Sequence, residues 1–289
     1  IQVPLNLVAG VEQLSYIVEH SGSEIIFSSK KNIDLAKKII QKVSNEVTLI
    51  EIDKDNFIDK IDNNFEILED ITERKDNALL MYTSGTTGKP KGAMLSHENI
   101  IQGGKNVMIS HELNSKDKAL CVLPLYHING LIVTVMGPLV SKSSLVLCEK
   151  FSASNFWHYI SKFKCSWFSV VPTIISALLN KYSNEEIKSL DLSSIRFGRS
   201  ASAALAPETH KNFEKKFNIK MIETMGLTEA CAPILSNPLP PKKIKYGSPG
   251  IPYGNEVIIL DDNFNEVPKN TIGQICVSGK NVMKEYYKN

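Results

Sequence analysis

Strand-like and helix-like segments alternate along most of this sequence. Short apolar runs, typical of buried strands, are separated by segments whose apolar residues recur at helical spacing. The strands are predicted at residues 24–28, 78–81, 93–95, 119–124, 145–147, 167–171, 195–198 and 220–224, and the helices at 12–20, 97–111, 129–140, 152–163, 172–181 and 207–217. Alternation at these lengths predicts an α/β fold. Its layered, largely parallel sheets are expected to be covered by helices on both faces.

The residue composition of the sequence changes after residue 235. Five prolines and three glycines fall between residues 238 and 254, and two β-type runs follow at 257–260 and 274–278. Proline and glycine at this density end helices and mark turns, so the pattern predicts a small antiparallel β subdomain. The predicted organisation is therefore an α/β core over residues 1–235 and a β-rich subdomain, incomplete, over 236–289.

Composition excludes several classes of protein. The chain has 289 residues, 43% of them hydrophobic, which is enough to bury a large core. A formal net charge of only +2 gives no case for a nucleic-acid partner. The longest apolar stretch, residues 128–140, falls short of the roughly 20 residues that a transmembrane helix needs.

Cysteine usage and the N-terminal residues bear on location. The five cysteines are an odd number, lie mostly in apolar runs and never adopt a Cys-x-x-Cys spacing, which favours reduced, buried thiols over disulfides or zinc ligands. No secretory signal pattern is present at the start of the chain. These features predict a cytoplasmic protein, and they leave its oligomeric state open.

A loop between two strand-like runs is rich in phosphate-binding chemistry. Residues 82–92 read Tyr-Thr-Ser-Gly-Thr-Thr-Gly-Lys-Pro-Lys-Gly. Glycines allow successive backbone N–H groups to converge on one point, the hydroxyls donate further hydrogen bonds, and the lysines add positive charge. The spacing is not that of a Walker A motif. A flexible linker is the alternative, and Lys-Pro-Lys held between two strands argues against it.

Three further segments follow predicted strands and carry polar or small side chains. Glu229, in the run 224–229, has two interpretations. It could be a ligand of a divalent cation that is also bound by phosphate oxygens, or it could lie in the first turn of a helix capped by Thr228. The small residues after Arg199 would let the planar ring of a ligand approach the backbone, or they would allow tight packing between a strand and a helix. His127, in the run 124–130, either makes its hydrogen bonds within the protein or forms part of a substrate site.

Taken together and in this order, these motifs resemble those of the adenylate-forming (AMP-binding) superfamily, in particular the acyl-CoA synthetases. The string TSGTTGKPKG is similar to the family's phosphate loop, the run 199–205 to its Ser-Gly-Gly-Ala-Pro-Leu segment, and the run 124–127 to its Pro-Leu-Phe-His gate. Met225 stands where the family has a tyrosine that stacks on adenine. The resemblance implies ATP, Mg²⁺ and coenzyme A (as substrate), and a carboxylic acid that is converted to an acyl-adenylate and then to a thioester.

The resemblance also implies the residues of the site. Catalytic roles fall to His127, Thr228 and Lys91, and metal binding to Thr83 and Glu229. The nucleotide is expected to contact two sets of residues. The set around the phosphates is Thr83, Ser84, Gly85, Thr86, Thr87, Gly88, Lys89 and Lys91. The set around adenine and the α-phosphate is Ala201, Ser202, Ala203, Glu223, Thr224, Met225, Gly226 and Thr228.

The acid substrate is constrained by one pair of residues. Amino-acid-activating members carry Phe-Asp where this chain has Tyr126-His127, so the resemblance favours an apolar or uncharged carboxylic acid over an amino acid. A fatty or other acyl acid is expected first. An aryl or small dicarboxylic acid is the alternative substrate, and a non-catalytic nucleotide-binding module is the alternative function. Family members continue into an Arg-Thr-Gly-Asp motif and a mobile domain with a catalytic lysine, so the expectation is that this chain is a large-domain fragment with little thioester-forming activity.

Overall fold

The computed structural model describes residues 1–52, 72–83 and 89–288. The backbone forms two compact units, one of residues 1–94 with 285–289 and one of residues 95–284. The division expected at residue 235 follows from sequence texture and stays a prediction. In the described part of the chain no helix is long and apolar enough to span a membrane.

Among its described residues, the first unit has two α-helices and two pairs of strands. Helices α1 (Val11–Ser21) and α2 (Ile33–Ile40) accompany the parallel strands β1 (Ile25–Ser28) and β2 (Thr48–Glu51), and β3 (Asn77–Thr83) pairs with β4 (Lys91–Ser96). Leu14, Val18, Ile26 and Ile39 are buried together and hold α1 and α2 against β1. The helix α2 and strand β2 were not predicted from the sequence, whereas α1, β1, β3 and β4 were.

The second unit is built on a seven-stranded sheet in the order β11-β10-β9-β8-β7-β5-β6. From β6 to β9 neighbouring strands are parallel, while β10 runs antiparallel to both β9 and β11. The strand bounds are β5 (Lys118–Cys121), β6 (Ser144–Leu147), β7 (Trp167–Val170), β8 (Phe197–Ser200), β9 (Met221–Leu227), β10 (Ala232–Ser236) and β11 (Ile251–Pro252). A separate antiparallel pair is formed by β12 (Glu256–Leu260) and β13 (Gln274–Ser278).

Helices cover both faces of this sheet, as predicted for the α/β class. Their bounds are α3 (His97–Ser110), a π-helix (Asn129–Met136), α4 (Gly137–Val140), α5 (Ala153–Phe163), α6 (Pro172–Lys181), α7 (Asn184–Lys188) and α8 (Pro207–Phe217). Ser96 begins α3 with a capping box, in which its side chain accepts from Asn99 N at 3.1 Å. This arrangement satisfies two backbone N–H groups that a helix end leaves unpaired.

The alternation of side chains along the strands separates two environments. Phe168 and Val170 of β7 point to one face, where they are buried with aromatic residues of α5 and α8. Trp167 and Ser169 point to the other face. There His111, at the end of α3, contacts the rings of Trp167 and Phe197, with centroid distances of 5.7 and 5.5 Å. Along β7 one face is therefore apolar, whereas the other carries buried polar groups.

Strands β8 and β9 both extend past their predicted ends, whereas β5 ends at Cys121, before its predicted end at residue 124. Strand β8 extends to Ser200, so Arg199 lies within the sheet, and β9 extends to Leu227, beyond the predicted end at Thr224. β9 continues because β10, which the sequence did not predict, pairs with it. Gly226 permits this pairing, since a Cβ at that position would lie 2.7 Å from the carbonyl oxygen of Ala232.

Buried His111 makes the stability of the second unit depend on pH. Burial and nearby Arg199 hold its pKa well below the usual value, so the unfolded chain takes up a proton near pH 6.5 that the folded chain does not. The contribution of neutral His111 to the free energy of unfolding is therefore complete above that pH and is lost as the pH falls below it. We expect His111→Phe to reduce the loss of unfolding free energy between pH 7 and pH 5 by about 2 kcal/mol, measured by urea denaturation.

The exposed residue His97 on the same helix provides the control, and His97→Gln should leave the pH dependence unchanged. Equal pH dependence in wild type and His111→Phe would show that His111 does not govern acid stability.

Candidate functional site

Polar side chains of the second unit collect at the carboxyl ends of its parallel strands. Ser169 lies near the end of β7, Arg199 near the end of β8 and Glu223 within β9, while the segment with His127 follows β5. In open α/β sheets this edge is where ligands bind. The fold therefore brings the predicted site residues Glu223 and His127 to one edge of one sheet, together with Ser169 and Arg199, which were not predicted.

A buried hydrogen-bond network joins three elements at this edge. The Arg199 Nη1 group donates to Asn129 Oδ1 and to Ser169 Oγ, each at 2.7 Å. The Ser169 hydroxyl also donates to Asn129 Oδ1 at 3.0 Å, and Asn129 Nδ2 donates to Ser202 Oγ at 3.2 Å. Burial lowers the pKa of Arg199 to about 9, which still leaves the side chain protonated at neutral pH.

Sequence reasoning did not find this network. Arg199 was read only as the residue before a run of small side chains, Ser169 as part of a hydrophobic strand, and Asn129 as part of a buried helix. A signal was available in the sequence: two polar residues, Ser169 and Arg199, interrupt otherwise apolar strands. Buried polar groups in such positions are expected to be paired with one another.

The segment after β8 has an unusual backbone conformation. Ala201 is buried, Ser202 and Ala203 are exposed, and Ser202 has φ = +71° in the left-handed region. A side chain other than that of glycine costs about 1–3 kcal/mol in such a conformation, so surrounding interactions must hold it there. The hydrogen bond from Asn129 Nδ2 is one such interaction.

On the neighbouring strand, Glu223 anchors the far end of the same segment. Its Oε1 accepts from Leu205 N at 3.0 Å. Glu223 Oε2 and Thr224 Oγ1 are buried and have no hydrogen-bond partner among the described residues. Met225 and Gly226 are half-buried at the end of β9, and Thr228 and Glu229 lie in a single 3₁₀ turn, Thr228–Ala230, between β9 and β10. The predicted adenine residues thus lie in the segment that follows β8 and in the adjacent strand β9.

His127 lies in the turn that leads into the π-helix. Its backbone N–H donates to Pro124 O at 3.2 Å, and its ring lies 4.7 Å from that of Tyr126. Desolvation lowers its pKa, so the imidazole is neutral at pH 7. Gly130 allows the helix to lie against this turn, because a Cβ there would come within 2.3 Å of the carbonyl oxygen of Pro124.

The ends of the predicted phosphate loop lie in the first unit. Thr83 closes β3 and its Oγ1 donates to the carbonyl oxygen of Lys91 at 3.4 Å. Lys91 Nζ lies 5.3 Å from the centroid of the Tyr286 ring, and Lys89 Nζ lies 5.7 Å from that of Tyr16. Five residues of the loop that were predicted to bind phosphate lie outside the described residues: Ser84, Gly85, Thr86, Thr87 and Gly88.

The residue before the loop is held by a contact that the sequence did not suggest. The Tyr82 hydroxyl and His20 Nδ1 are 2.7 Å apart, and the His20 ring also lies against Tyr287. Burial raises the pKa of Tyr82 and lowers that of His20, so both groups are neutral at pH 7. The neutral pair fixes the end of β3 from which the loop departs.

The two residues predicted to bind a metal lie in different units, Thr83 in the first and Glu229 in the second. Within the described ranges no group of three or more His, Cys, Asp or Glu side chains could hold a metal ion. A magnesium ion that takes one or two protein oxygens, with phosphate oxygens and water as its other ligands, needs no such group. The assignment of Thr83 and Glu229 to a metal stays a prediction.

Comparison with curated proteins gives relatives along the whole chain. The chain is 40% identical to the sulfoacetate–CoA ligase of Cupriavidus necator and 31% identical to the oxalate–CoA ligase of Arabidopsis thaliana, with 99% of the chain covered in both cases. The matches cover 56% and 57% of those two relatives. The chain therefore spans about half the length of the curated relatives it matches.

Solved structures give the same fold. ATP-bound MatB from Rhodopseudomonas palustris matches with a TM-score of 0.85 at 26% identity, covering 99% of this chain and 56% of that one. The anthranilate CoA ligase AuaEII in complex with anthranoyl-AMP matches with a TM-score of 0.89 at 25% identity and the same coverage. The fold is that of the α/β domain of adenylate-forming CoA ligases.

The family model for AMP-binding enzymes matches residues 1–287. The chain belongs to this family, and its named relatives are acid–thiol ligases.

Proposed function

We propose that this chain supplies the nucleotide-binding part of a ligase that activates a small carboxylic acid with ATP. The carboxylate attacks the α-phosphate, the bond to pyrophosphate breaks, and the resulting acyl-adenylate is then attacked by the thiol of coenzyme A with release of AMP. The observation that carries this proposal is the carboxyl edge of the second unit's sheet in a chain of the AMP-binding family. There the segment 201–203 directly follows β8, and the segment 223–228 covers the end of the adjacent strand β9 and the turn after it.

Electrostatic stabilisation and positioning carry most of such a reaction, because two negatively charged reactants must meet. Lys89 and Lys91 form no ion pair among the described residues, so their charge is available to phosphate. Thr83 and Glu229 would hold Mg²⁺, which supplies charge neutralisation when bound. Thr228 would contact the α-phosphate, and neutral His127 would border the carboxylate of the acid.

The substrate that we propose is a small acid with a second acidic group. Two relatives covering 99% of the chain are named for sulfoacetate and oxalate, and these names support the small-acid alternative rather than the fatty acid expected first. Tyr126-His127 offers no carboxylate to a substrate ammonium, which argues against amino acids. The acid, the use of coenzyme A and a cytoplasmic location all belong to this proposal.

Calorimetry with ATP and Mg²⁺ tests the nucleotide site. We expect ATP to bind and Lys91→Ala to weaken its binding roughly tenfold or more, since a charge-assisted hydrogen bond is worth about 1.5–3 kcal/mol. Lys162→Ala is the matched control, because Lys162 Nζ also lies over a ring, 5.4 Å from the Phe163 centroid, but belongs to α5. Equal affinities in wild type and Lys91→Ala would remove Lys91 from the phosphate site.

A further inference from the structure

We propose that Asn129 and Ser202 form the donor pair that recognises the second acidic group of the substrate, and that Arg199 is the positioning residue behind them. This inference rests on the proposed function, because it assigns part of the same site. It concerns the distal anion of the acid, a carboxylate or a sulfonate, and not the carboxylate that reacts with ATP.

No carboxylate among the described residues neutralises the charge of Arg199. Only 2% of the residue is exposed, and within the described ranges its side chain bonds to an amide and a hydroxyl and to no carboxylate. Its Nε is buried without a hydrogen-bond partner. A buried cation of this kind is costly unless an anion compensates for it.

Glu223, the carboxylate on the adjoining strand, does not supply that compensation. In the register of β8 and β9, Arg199 stands opposite Ile222, whereas Glu223 stands opposite Ser200. Because side chains alternate between the faces of a sheet, Glu223 projects from the face opposite to Arg199. Its carboxylate is held there by Leu205 N. The positive charge therefore acts on the face that carries Asn129 and Ser169.

The network fixes which way the Asn129 amide points. Arg199 Nη1 is a donor with no acceptor capacity, and it must meet the carbonyl oxygen of the amide. Ser169 donates to the same oxygen. The Nδ2 group is thereby directed outward to the Ser202 hydroxyl, which sits on an exposed residue. Asn129 Nδ2 and the hydroxyl of exposed Ser202 are thus two adjacent donors with a buried positive charge behind them.

An anion gains more from this arrangement than a neutral group does. Two hydrogen-bond donors in a positive field match a carboxylate or sulfonate oxygen, and bonds to charged acceptors are roughly twice as strong as those to neutral ones. Adenine, which the segment 201–203 is also expected to border, is neutral and would gain nothing from the charge of Arg199. The network is therefore assigned to the acid.

The test compares acids that differ only in the second charge. Sulfoacetate is paired with methylsulfonylacetate, and oxalate with oxamate, because each partner keeps the shape and loses one negative charge. Acid-dependent exchange of pyrophosphate with ATP is measured in the protein from the complete reading frame. We expect Arg199→Met and Asn129→Asp each to raise KM for the dianionic acid at least tenfold, with KM for its monoanionic partner changed less than twofold.

Asn129→Asp keeps the proposal testable if Arg199→Met does not fold. The new carboxylate retains the acceptor for Arg199 and Ser169, neutralises the arginine and removes the outward donor. Arg199→Lys should restore part of the preference for the dianion. Arg196→Gln is the control for loss of an arginine, since Arg196 is already paired with Asp117 at 2.6 Å.

The outcomes separate the two proposals. No exchange by wild type with any acid would refute the proposed function itself. An active wild type whose variants keep the same ratio of KM values for the paired acids would overturn the inference, and so would variants that raise KM for ATP instead, since the network would then serve the nucleotide.

Discussion

Phe168→Ala is expected to lower the free energy of unfolding of the second unit by about 3–5 kcal/mol. Phe168 is fully buried at the centre of the apolar face of the sheet. Its ring lies 5.1 Å from that of Phe156 and 6.4 Å from that of Phe213, and it covers Gly198 on the next strand, where a Cβ would come within 2.5 Å of the ring. Truncation would leave a cavity. Gly198 has no side chain to fill it, and the rigid rings of Phe156 and Phe213 cannot move in to close it.

The effect can be measured as a fall in Tm of roughly 6–20 °C, given about 2–4 °C per kcal/mol for a unit of this size. Phe264→Ala makes the same chemical change at a site that is 79% exposed and should shift Tm by little. Similar shifts for the two variants would mean that the aromatic cluster around Phe168 does not hold the sheet to its helices.

Much of the fold could be predicted because its signals are local. Apolar runs located β1, β3, β5, β6 and β7, and Ser96 located the start of α3, since strand burial and helix capping leave marks within a few residues. β10 left no comparable mark. It is only five residues long, contains Pro233 and exists because β9 offers it an edge, which is a property of the assembled sheet.

The candidate site was predictable to a different degree. Motif resemblance found the segments 201–203 and 223–228, and the sheet brings them to adjacent strand ends. The Arg199, Asn129 and Ser169 network depends on contacts between residues 30 to 70 positions apart in the chain, which no local pattern encodes. The fatty-acid expectation came from a pair, Tyr126-His127, that excludes an ammonium group but says nothing about a second anion.

We propose that this member of the AMP-binding family activates a small acid with two acidic groups. Tyr126-His127 provides no partner for a substrate ammonium, whereas the charge of Arg199 favours an anion. An amino acid would bring an unpaired ammonium into a positive field, and a fatty acid would bring an apolar chain to polar donors, so both should be poor substrates by about two orders of magnitude or more.

The measurement that tests this claim most directly is acid-dependent exchange of labelled pyrophosphate into ATP by the protein from the complete reading frame. The panel contains sulfoacetate, oxalate, malonate, acetate, palmitate and the twenty amino acids. We predict that exchange is stimulated by one or more of the first three acids, at least a hundredfold above the rate with palmitate or any amino acid. Exchange that is stimulated only by palmitate, or only by amino acids, would contradict the account.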